Sequence, residues 1–504
     1  MSSGFAKSTV FRWLGLGMCI FGIVGFLMPL PESMLDNARD IYMAMDEEAR
    51  AQTSVYDTAR RMQLTLALLA MCVIFFATEA VPLPAVALII GLVQLFFGIT
   101  PPSRIVASYA HDAVWFIAGS LALSGTFIKY GLDKRIGMLV VRFSGTHVKG
   151  MVFGILIGTS IPSAFIGGHA VAGMFLPIIM ALYTLTNKTV PAPKLGKLLA
   201  LCVAYGCMMG GPMAPTGGAR NAIMIGFLTD FGIEISFLQW LLMGFLFTLV
   251  MAGILAMIMP LIFRPEVRRL DVAAQQLRKD LEKHGKMTRK QYLVGGVMLF
   301  VIFLWMTDKT LIRGVLGFSL GMGGIAITGA VIYILMGLTT WKDYEEGINW
   351  GVVVLYAGAI SLGSAFKATG TSIWVADMIR VVIGPLGMDS GIPLLMLVVL
   401  LGAVFTNLVS AGATVAIIGP LVLGMAEQSG TSPLMVGLTL ALSTATAFWL
   451  VIGTPASSIA YSSGLLTSKD YIRGGMFIWP LAVVVIIGVI LLFWIPVLGL
   501  PVFE

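Results

Sequence analysis

Two matching stretches of small and polar residues interrupt long apolar runs, one in each half of the chain. They are residues 163–177, SAFIGGHAVAGMFLP, and residues 406–420, TNLVSAGATVAIIGP. Each begins with a hydroxyl residue, passes through a glycine-containing centre and ends in proline, at a constant offset of 243 residues (406 − 163 and 420 − 177). Non-helical backbone inside a membrane must be buried in protein or line a wet cavity. Paired interruptions in two apolar halves therefore predict the binding site of a secondary transporter.

Two further interruptions fall in later apolar runs. Residues 210–223 read GGPMAPTGGARNAI, and residues 452–459 read IGTPASSI. Proline removes a helical hydrogen-bond donor, and glycine permits the backbone conformations that an unwound segment needs. The carbonyl groups freed in this way can coordinate a small cation, whereas the N-terminus of a half-helix presents N–H groups to an anion. We expect two re-entrant hairpin tips and two broken helices to meet near the middle of the bilayer.

Two ionisable residues stand within these interruptions, Arg220 in the first broken helix and His169 at the first hairpin tip. An arginine in an apolar span costs from about 2.5 kcal/mol upward and is functional by default. Its planar fork can pair bidentately with a carboxylate, a sulfonate or sulfate. The alternative is that Arg220 caps carbonyl groups of the broken helix or occupies the place of a cation. His169 can donate to an anion, titrate in a proton-coupled cycle or form a structural hydrogen bond.

The composition of the 504-residue chain is that of a polytopic membrane protein. Apolar residues make up 58% and charged residues 11% of it, whereas a soluble protein carries about 25% charged residues. Apolar runs of about 20 residues recur, which indicates helical spans and not the alternating segments of a barrel. The net charge of +7 comes from basic residues in short loops, as is typical of cytoplasmic loops, and it does not indicate a nucleic-acid partner.

The apolar pattern predicts an all-α polytopic membrane protein with about 11 transmembrane helices. The predicted spans are residues 13–30, 63–80, 83–99, 112–130, 198–227, 237–263, 292–307, 312–338, 351–369, 434–463 and 477–498, with re-entrant hairpins at 152–185 and 393–424. Two spans are broken, at residues 212–220 and 453–458. No small-residue cleavage site follows the first span, so we interpret it as retained and not as a signal peptide.

Charge and internal similarity divide the chain into four segments. Residues 1–61 hold the first span and an acidic extracytoplasmic segment, 62–263 the first repeat, 264–291 a basic cytoplasmic linker that includes Lys279, and 292–504 the second repeat. Each repeat has five spans and one hairpin, and this odd number of spans inverts the second repeat relative to the first. Basic loops on the cytoplasmic side place the N-terminus inside and the C-terminus outside. We expect an integral membrane protein with an inverted repeat, in the inner (cell) membrane of a bacterium.

At these motifs the chain resembles the divalent anion/sodium symporter family, solute-carrier family thirteen. The resemblance covers nearly the whole chain and is carried by residues 163–177, 217–223, 406–420 and 453–459. It implies an elevator-like secondary transporter that works as a homodimer on di- or tricarboxylates or sulfate, with Na⁺ as the coupling ion and no cofactor. The implied cation ligands are Ser163, Gly167, Gly168 and Gly217 at one site, and Thr406, Ser410, Ala411 or Gly412, and Gly453 at the other. The expected substrate contacts are His169, Gly218, Arg220, Asn221, Ser410, Gly412, Thr454 and Pro455.

The hairpin tips depart from the family pattern. The family normally carries Ser-Asn-Thr at each tip, where this chain has Gly-Gly-His at 167–169 and Ser-Ala-Gly at 410–412. Both amide side chains and both substrate-binding threonines of the pattern are therefore absent, whereas the backbone carbonyl groups remain. Arg220 and His169 are ionisable residues that this chain has in addition to the family pattern. Because both substrate-binding threonines are replaced, the sequence leaves open whether the anion is a dicarboxylate, a sulfonate or sulfate.

The leading hypothesis is cation-coupled uptake of a small divalent anion. Arg220 and His169 instead supply the positive charge of bound Na⁺ if the protein is a sodium-independent anion exchanger or a proton-coupled symporter. An enzyme is disfavoured because the sequence offers no paired intramembrane carboxylates, histidine cluster or nucleophile motif. A sensor is disfavoured because no soluble signalling domain is attached, and a channel because breaks in two inverted halves indicate a gated central site.

Overall fold

The computed structural model describes residues 2–271, 275–276 and 286–503. The helices of the first half are Ser2–Gly22 (α1), which continues into a π-helical turn at Ile23–Leu27, Glu32–Ala44 (α2), Glu47–Ala51 (α3), Val55–Thr78 (α4), Leu83–Phe96 (α5), Pro102–Tyr109 (α6), Asp112–Lys129 (α7), Leu132–Phe143 (α8), Val148–Ile166 (α9), Gly168–Asn187 (α10), Pro193–Gly210 (α11), Ala219–Asp230 (α12) and Phe237–Phe263 (α13). The first hairpin is α9 with α10, and the first broken helix is α11 with α12.

The second half repeats this order. Its helices are Arg289–Thr307 (α14), Arg313–Leu316 (α15), Met322–Leu335 (α16), Trp341–Gly347 (α17), Trp350–Ala368 (α18), Thr371–Ile383 (α19), Gly391–Leu408 (α20), Ala411–Ser429 (α21), Pro433–Ser443 (α22), Pro455–Tyr461 (α23) and Ser468–Val489 (α24). The second hairpin is α20 with α21, and the second broken helix is α22 with α23.

Twelve of the described helical segments are long and apolar enough to cross a membrane. They include all four arms of the two hairpins, α9, α10, α20 and α21. Three shorter apolar helices, α5, α16 and α22, fall within the predicted spans 83–99, 312–338 and 434–463. The prediction of an all-α polytopic membrane protein is thereby confirmed.

The structure corrects several predicted boundaries. The second span begins at Val55 and not at residue 63, because Ser54 and Asp57 form a reciprocal capping box. The last span likewise begins at Ser468 and not at residue 477, after a capping box between Thr467 and Asp470. Residues 308–316 extend α14, so the eighth span is α16 alone. The second break covers residues 444–454 and not 453–458.

Corresponding helices of the two halves pack in exchanged pairs. α5 packs against α18 just as α16 packs against α7. Within each half, the first hairpin arm packs against the first part of the broken helix, as α9 does with α11 and α20 with α22. Across the halves, α10 packs against α23 and α21 against α12. This exchange is the packing expected of two repeats related by a two-fold pseudo-symmetry axis, whereas the inversion of the second repeat stays a prediction.

Contacts between distant loops join segments that the sequence assigned to the same face. On the predicted inner face, Lys197 Nζ lies 2.8 Å from Asp470 Oδ1, and the backbone N–H of Lys194 donates to Glu266 Oε1 at 2.9 Å. On the predicted outer face, Lys309 pairs with Glu234. These contacts are consistent with the predicted topology.

The first residues of the predicted linker 264–291 form backbone hydrogen bonds with the segment where α9 begins. Val148 N donates to Arg268 O at 3.0 Å, and Leu270 N donates to Thr146 O at 2.7 Å. Residues 272–274 and 277–285 of the predicted linker, including Lys279, lie outside the described residues. The described start of the linker is therefore attached to the segment that carries the first hairpin.

Asp343 joins the end of α7 to α17. Its Oδ2 atom accepts hydrogen bonds from Lys129 Nζ at 2.8 Å, Thr340 N at 2.7 Å and Thr340 Oγ1 at 2.6 Å. These donors, the Lys129 ammonium first, hold the pKa of the Asp343 carboxyl below its ordinary value. A carboxyl group with a lowered folded-state pKa stabilises the fold fully above its unfolded pKa of about 4, and this stabilisation is lost as the pH falls below that value.

We expect Asp343→Asn to lower the midpoint of thermal unfolding at pH 7 by no more than about 2–4 °C, because the ion pair is partly exposed to solvent. The difference between the variant and the wild type should shrink as the pH falls below about 4. Thermal unfolding of both proteins in detergent, measured between pH 7 and pH 3, tests this expectation. A difference that stays constant over that range would contradict it.

Candidate functional site

A cavity of about 440 Å³ lies where the two hairpin tips meet the two broken helices. The tips contribute Gly167, Gly168, His169, Ser410, Ala411 and Gly412, and the breaks contribute Gly217, Gly218, Arg220, Gly453, Thr454 and Pro455. The remaining walls come mainly from α5, α7 and α18. The four interruptions singled out in the sequence thus surround one space.

The first hairpin tip is the Gly167-Gly168 turn between α9 and α10. Gly167 has φ +83°, a conformation that residues with side chains rarely adopt, so the turn requires glycine there. A Cβ atom at Gly168 would lie 3.4 Å from Cβ of Cys207 in α11 and 3.8 Å from Cβ of Ala456 in α23. The first tip is therefore packed between the broken helices of both repeats.

The second hairpin tip is held by side chains of its own repeat. Ser410 Oγ accepts a hydrogen bond from Ala413 N at 3.4 Å and so caps α21. Thr406 Oγ1 donates to Thr444 O at 2.9 Å, and Asn407 Oδ1 accepts from Trp449 N at 2.9 Å. These bonds tie the end of α20 to the unwound residues of the second break.

The two repeats also meet directly at the second tip. A Cβ atom at Gly412 would lie 2.9 Å from Cβ of Ala219, the first residue of α12. Only a residue without a side chain allows this approach between the second tip and the first break. The small residues of the tips therefore set how closely the halves converge.

Side-chain donors occupy several of the carbonyl groups in and just before the first break. Asn221 Nδ2 donates to Gly211 O at 2.8 Å and to Ala214 O at 2.7 Å. Two donors from α13 complete the set, with Thr248 Oγ1 bonded to Met209 O at 2.8 Å and Trp240 Nε1 bonded to Pro212 O at 3.0 Å. The unwound segment is thus satisfied by protein, as buried backbone must be.

Asn221 was expected to contact the substrate. Its side chain is instead fully buried and does not line the cavity, because its amide nitrogen bridges two carbonyl groups of the break. Its Oδ1 atom has no hydrogen-bond partner. In this structure Asn221 therefore holds the break and leaves one buried oxygen acceptor free.

Arg220 lines the cavity although only 5% of its surface is exposed. Its Nη2 atom donates to Met208 O over a long 3.4 Å, and its Nε atom has no partner. A Cβ atom at Gly211 would lie 3.3 Å from Arg220 Cζ, so the guanidinium group lies against the first break. An arginine carries five N–H donors and no acceptor. The bond to Met208 O is the carbonyl capping that was considered from the sequence; it accounts for one of these donors and leaves the buried Nε donor without a partner.

His169 lies at the edge of the cavity and is exposed. A Cβ atom at Gly167 would lie 3.3 Å from His169 Cε1 and 3.4 Å from its Nδ1, so the ring folds back over the tip. No hydrogen bond ties this ring to the described residues. The structural hydrogen bond considered from the sequence is therefore not observed, and the ring is free to meet a ligand.

Sequence reasoning missed several polar residues of the site, among them Tyr356 and Ser120. Tyr356 of α18 is 3% exposed, lines the cavity and lies close enough to Arg220 to interact with its charge. Ser120 of α7 is 6% exposed, lines the cavity, and its Oγ atom has no partner. Both lie in uninterrupted apolar helices. The one available signal was the hydroxyl pair Ser120 and Ser124, whose spacing of four puts both on one helix face.

The predicted cation ligands fall into two groups. In the first, Ser163 donates to Thr159 O, and Thr216, next to Gly217, donates to Ala164 O at 2.5 Å. In the second, a Cβ atom at Gly453 would lie 3.6 Å from Thr406 O. Ser163 and Thr406 are fully buried and do not line the cavity.

The described residues contain no group of three or more His, Cys, Asp or Glu side chains that could hold a metal ion. Any cation bound here would therefore use backbone carbonyl, hydroxyl and amide oxygens. Hard cations accept such oxygen ligands. The unpartnered Asn221 Oδ1 fits this chemistry at the first group.

Comparison with known proteins places most of the chain in one family. Residues 58–500 match the family model described as the sodium:sulfate symporter transmembrane region. The chain is 24% identical over 449 residues to the sodium-dependent dicarboxylate transporter SdcS of Staphylococcus saprophyticus, covering 85% of this chain and 86% of that protein. It is also 24% identical over 448 residues to SdcS of Staphylococcus aureus strain USA300, covering 85% of each.

Two solved transporters share the fold at low sequence identity. The YdaH transporter of Alcanivorax borkumensis superposes with a TM-score of 0.54 at 16% identity, covering 79% of this chain and 89% of that one. MtrF of Neisseria gonorrhoeae, described as an antimetabolite efflux pump, superposes with a TM-score of 0.57 at 15% identity, covering 82% and 86%. These likenesses concern the fold alone.

Proposed function

The chain belongs to the sodium:sulfate symporter family and is an anion transporter of the membrane and not an enzyme; from this premise we propose that it carries a small anion at Arg220, coupled to Na⁺. The relatives at 24% identity are sodium-dependent dicarboxylate transporters by name. We do not assign their dicarboxylate substrate to this chain, because the residues at its hairpin tips differ from the pattern expected of the family. The anion is instead inferred from the residues that line the cavity.

The observation that carries the proposal is the state of Arg220. It is a buried cation with an unpartnered Nε atom in the one cavity that both tips and both breaks line. A buried charge is retained only when it is paired or hydrogen-bonded. An oxyanion entering the cavity would supply the acceptor and the countercharge together, since arginine binds carboxylate and sulfonate groups through parallel N–H···O bonds.

Na⁺ is the proposed co-transported ion. Gly453, in the second break, lies beside Thr406 O of the second hairpin, and Thr216, next to Gly217 in the first break, donates to Ala164 O of the first hairpin. The free Asn221 Oδ1 adds an acceptor at the first group. A cation bound on either side of Arg220 would add to the positive potential that attracts the anion, which couples the two binding events.

We propose that transport proceeds by an elevator-like movement. Both hairpins and both broken helices pack on one another across the repeats, α10 with α23 and α21 with α12, and so form one body. α5, α7, α16 and α18 pack among themselves. The cavity lies at the border of these two bodies and is lined by residues of both. Sliding of the first body along the second, in a homodimer held in the bacterial cell membrane, would expose the cavity to either side in turn.

A second candidate is sodium-independent anion exchange. It is favoured by the first break, where donors from Arg220, Asn221, Thr248 and Trp240 already occupy the carbonyl groups of five residues. A fixed guanidinium group would then act in place of one bound cation. Dependence on Na⁺ separates exchange from symport.

The test is uptake of labelled succinate, sulfate and hexane-1-sulfonate into proteoliposomes. Each anion is offered with and without an inward Na⁺ gradient, to empty vesicles and to vesicles preloaded with the same unlabelled anion. Accumulation into empty vesicles driven by the Na⁺ gradient supports symport. Uptake confined to preloaded vesicles and unaffected by Na⁺ supports exchange. Absence of protein-dependent uptake of all three anions under every condition would overturn the proposal.

A further inference from the structure

We propose that the substrate is an organic monoanion, with one oxyanion head bound at Arg220 and an apolar body held against the opposite walls of the cavity. This inference rests on the proposed function, since it names the class of anion carried at that same site. It departs from the divalent anion expected from the resemblance, and it follows from the charge and the lining of the cavity.

The charge of the cavity fits one anionic group. Among the described lining residues, Arg220 is the one with a permanent positive charge, and no lysine or carboxylate lines the cavity. His169 lies at the exposed edge. The lining offers a second carboxylate no second permanently charged cationic side chain, so a dianion would depend on co-transported Na⁺ for its second countercharge, and burying a charge without a countercharge is strongly unfavourable. A monoanion needs Arg220 alone.

The cavity has an apolar wall, which we define as Leu83, Ile117, Leu121, Ile166, Val352 and Leu355. Five of these residues come from α5, α7 and α18, the helices that face the tips and breaks, and Ile166 precedes the first tip. Their side chains offer no hydrogen bond to a second polar group. Apolar surface removed from water stabilises the complex in proportion to its area, so this wall favours a ligand with a hydrocarbon body.

The hairpin tips contribute little polar side-chain surface to the same cavity. Gly167, Gly168, Ala411 and Gly412 line it with backbone and a single methyl group. Tips of this composition contact a head group mainly through backbone atoms, and the polar side chains among their described lining residues are those of Ser410 and the exposed His169. The volume of about 440 Å³ lies within the roughly 300–1,000 Å³ range of pockets that enclose a whole organic ligand.

Two neutral groups complete the recognition of a single head. Ser120 Oγ is buried without a partner, and Tyr356 lies beside Arg220. A guanidinium group meets a carboxylate through two parallel N–H···O bonds, which leaves lone pairs on the head to which hydroxyl groups can donate. Arg220 and Ser120 are thus the two lining residues with buried, unsatisfied polar atoms among the described residues.

The test compares ligands that differ in one feature, measured as ligand-induced thermal stabilisation and as dissociation constants of the purified protein in detergent. Hexanoate and adipate share six carbons and differ by one carboxylate, and acetate carries the head without the body. Hexane-1-sulfonate and ethane-1-sulfonate repeat the comparison of body length with a permanently charged head. We expect hexanoate to bind at least 10-fold more tightly than adipate or acetate, and hexane-1-sulfonate more tightly than ethane-1-sulfonate.

Two variants separate binding in the cavity from non-specific partitioning. Arg220→Met should abolish the response to hexanoate, whereas partitioning into detergent would persist. Leu121→Asn, in the apolar wall, should narrow the ratio between hexanoate and acetate affinity about 10-fold, because a buried amide replaces hydrocarbon contact. Leu139→Asn is the matched control, since Leu139 is half exposed on α8 and lies outside the cavity; it should leave that ratio unchanged.

The outcomes distinguish the inference from the proposed function. Tighter binding of adipate than of hexanoate, abolished by Arg220→Met, would overturn the inference of a monoanionic substrate and leave Arg220-dependent anion transport standing. Equal affinity for hexanoate and acetate would overturn the inference that the substrate has an apolar body. No Arg220-dependent binding of any of these anions would overturn the inference, and the uptake test with succinate and sulfate would then decide whether the proposed function stands.

Discussion

Replacing Arg220 with methionine should lower anion uptake by at least about 100-fold at a fixed substrate concentration. Methionine has a similar length and fills the same space, so the change removes the charge and the donors without opening a cavity. Removing one partner of a buried ionic contact costs about 3–5 kcal/mol, and each 1.4 kcal/mol corresponds to a factor of about 10 in affinity. Initial rates of uptake into proteoliposomes, over a range of anion concentrations, measure the loss.

Two further variants show whether the loss is specific. Arg220→Lys keeps the charge but cannot form parallel N–H···O bonds, so it should retain a small part of the uptake with weaker apparent affinity. Arg380→Gln removes an exposed arginine whose Nε lies 3.0 Å from Asp389 Oδ2, far from the cavity lining, and it should transport normally. Uptake by Arg220→Met within 3-fold of the wild type would contradict the assignment of Arg220, provided that this variant purifies with wild-type thermal stability.

Gly210→Ala should be the most damaging glycine-to-alanine substitution in α9 and α11, the helices that support the site. A Cβ atom at Gly210 would overlap the carbonyl oxygen of Ser160 and lie 2.6 Å from both its carbonyl carbon and its Cα. Backbone cannot move aside as a flexible side chain can, so α9 and α11 would have to separate. Overpacking costs about 1–3 kcal/mol. Because α9 carries the first tip and α11 leads into the first break, we expect uptake to fall at least 10-fold as well.

Gly173→Ala is the matched control for this change. Gly173 is an exposed glycine within α10, and a Cβ atom there would have no heavy atom within 4 Å. Alanine favours a helix over glycine by up to about 1 kcal/mol, so this variant should unfold at the wild-type temperature or slightly above it. Thermal unfolding in detergent and uptake are measured for both variants. Equal midpoints for Gly210→Ala and Gly173→Ala would show that the close contact of α9 with α11 is unimportant.

Much of the fold could be predicted because its signals are local in the sequence. Lipid requires long apolar spans, and every departure from them is visible as proline, glycine or a polar residue. The boundaries were less accurate where a cap or a turn decided them. The start of α4 depends on Ser54 bonding Asp57, and the end of α14 on a π-helical turn. Neither changes the apolar pattern enough to be seen there.

The close packing of the supporting helices also had a signal in the sequence. Gly206 and Gly210 are four residues apart in α11, the small-xxx-small spacing that lets membrane helices approach closely. Ser160 Oγ donates to Gly206 O at 2.9 Å across this contact. The sequence indicates that α11 has a close partner, but not that α9 is that partner.

The class of the protein, the two hairpins, the two breaks and the prediction that Arg220 is functional all follow from the order of residues along the chain. What each polar group contacts became known only from the packing of the helices. Asn221 turned out to bridge carbonyl groups of the break, whereas Ser120 and Tyr356 turned out to line the cavity. The physical reason is that hydropathy is a property of each residue and its near neighbours. Whether a donor finds an acceptor, or a leucine faces lipid or a ligand, depends instead on helices far apart in the chain.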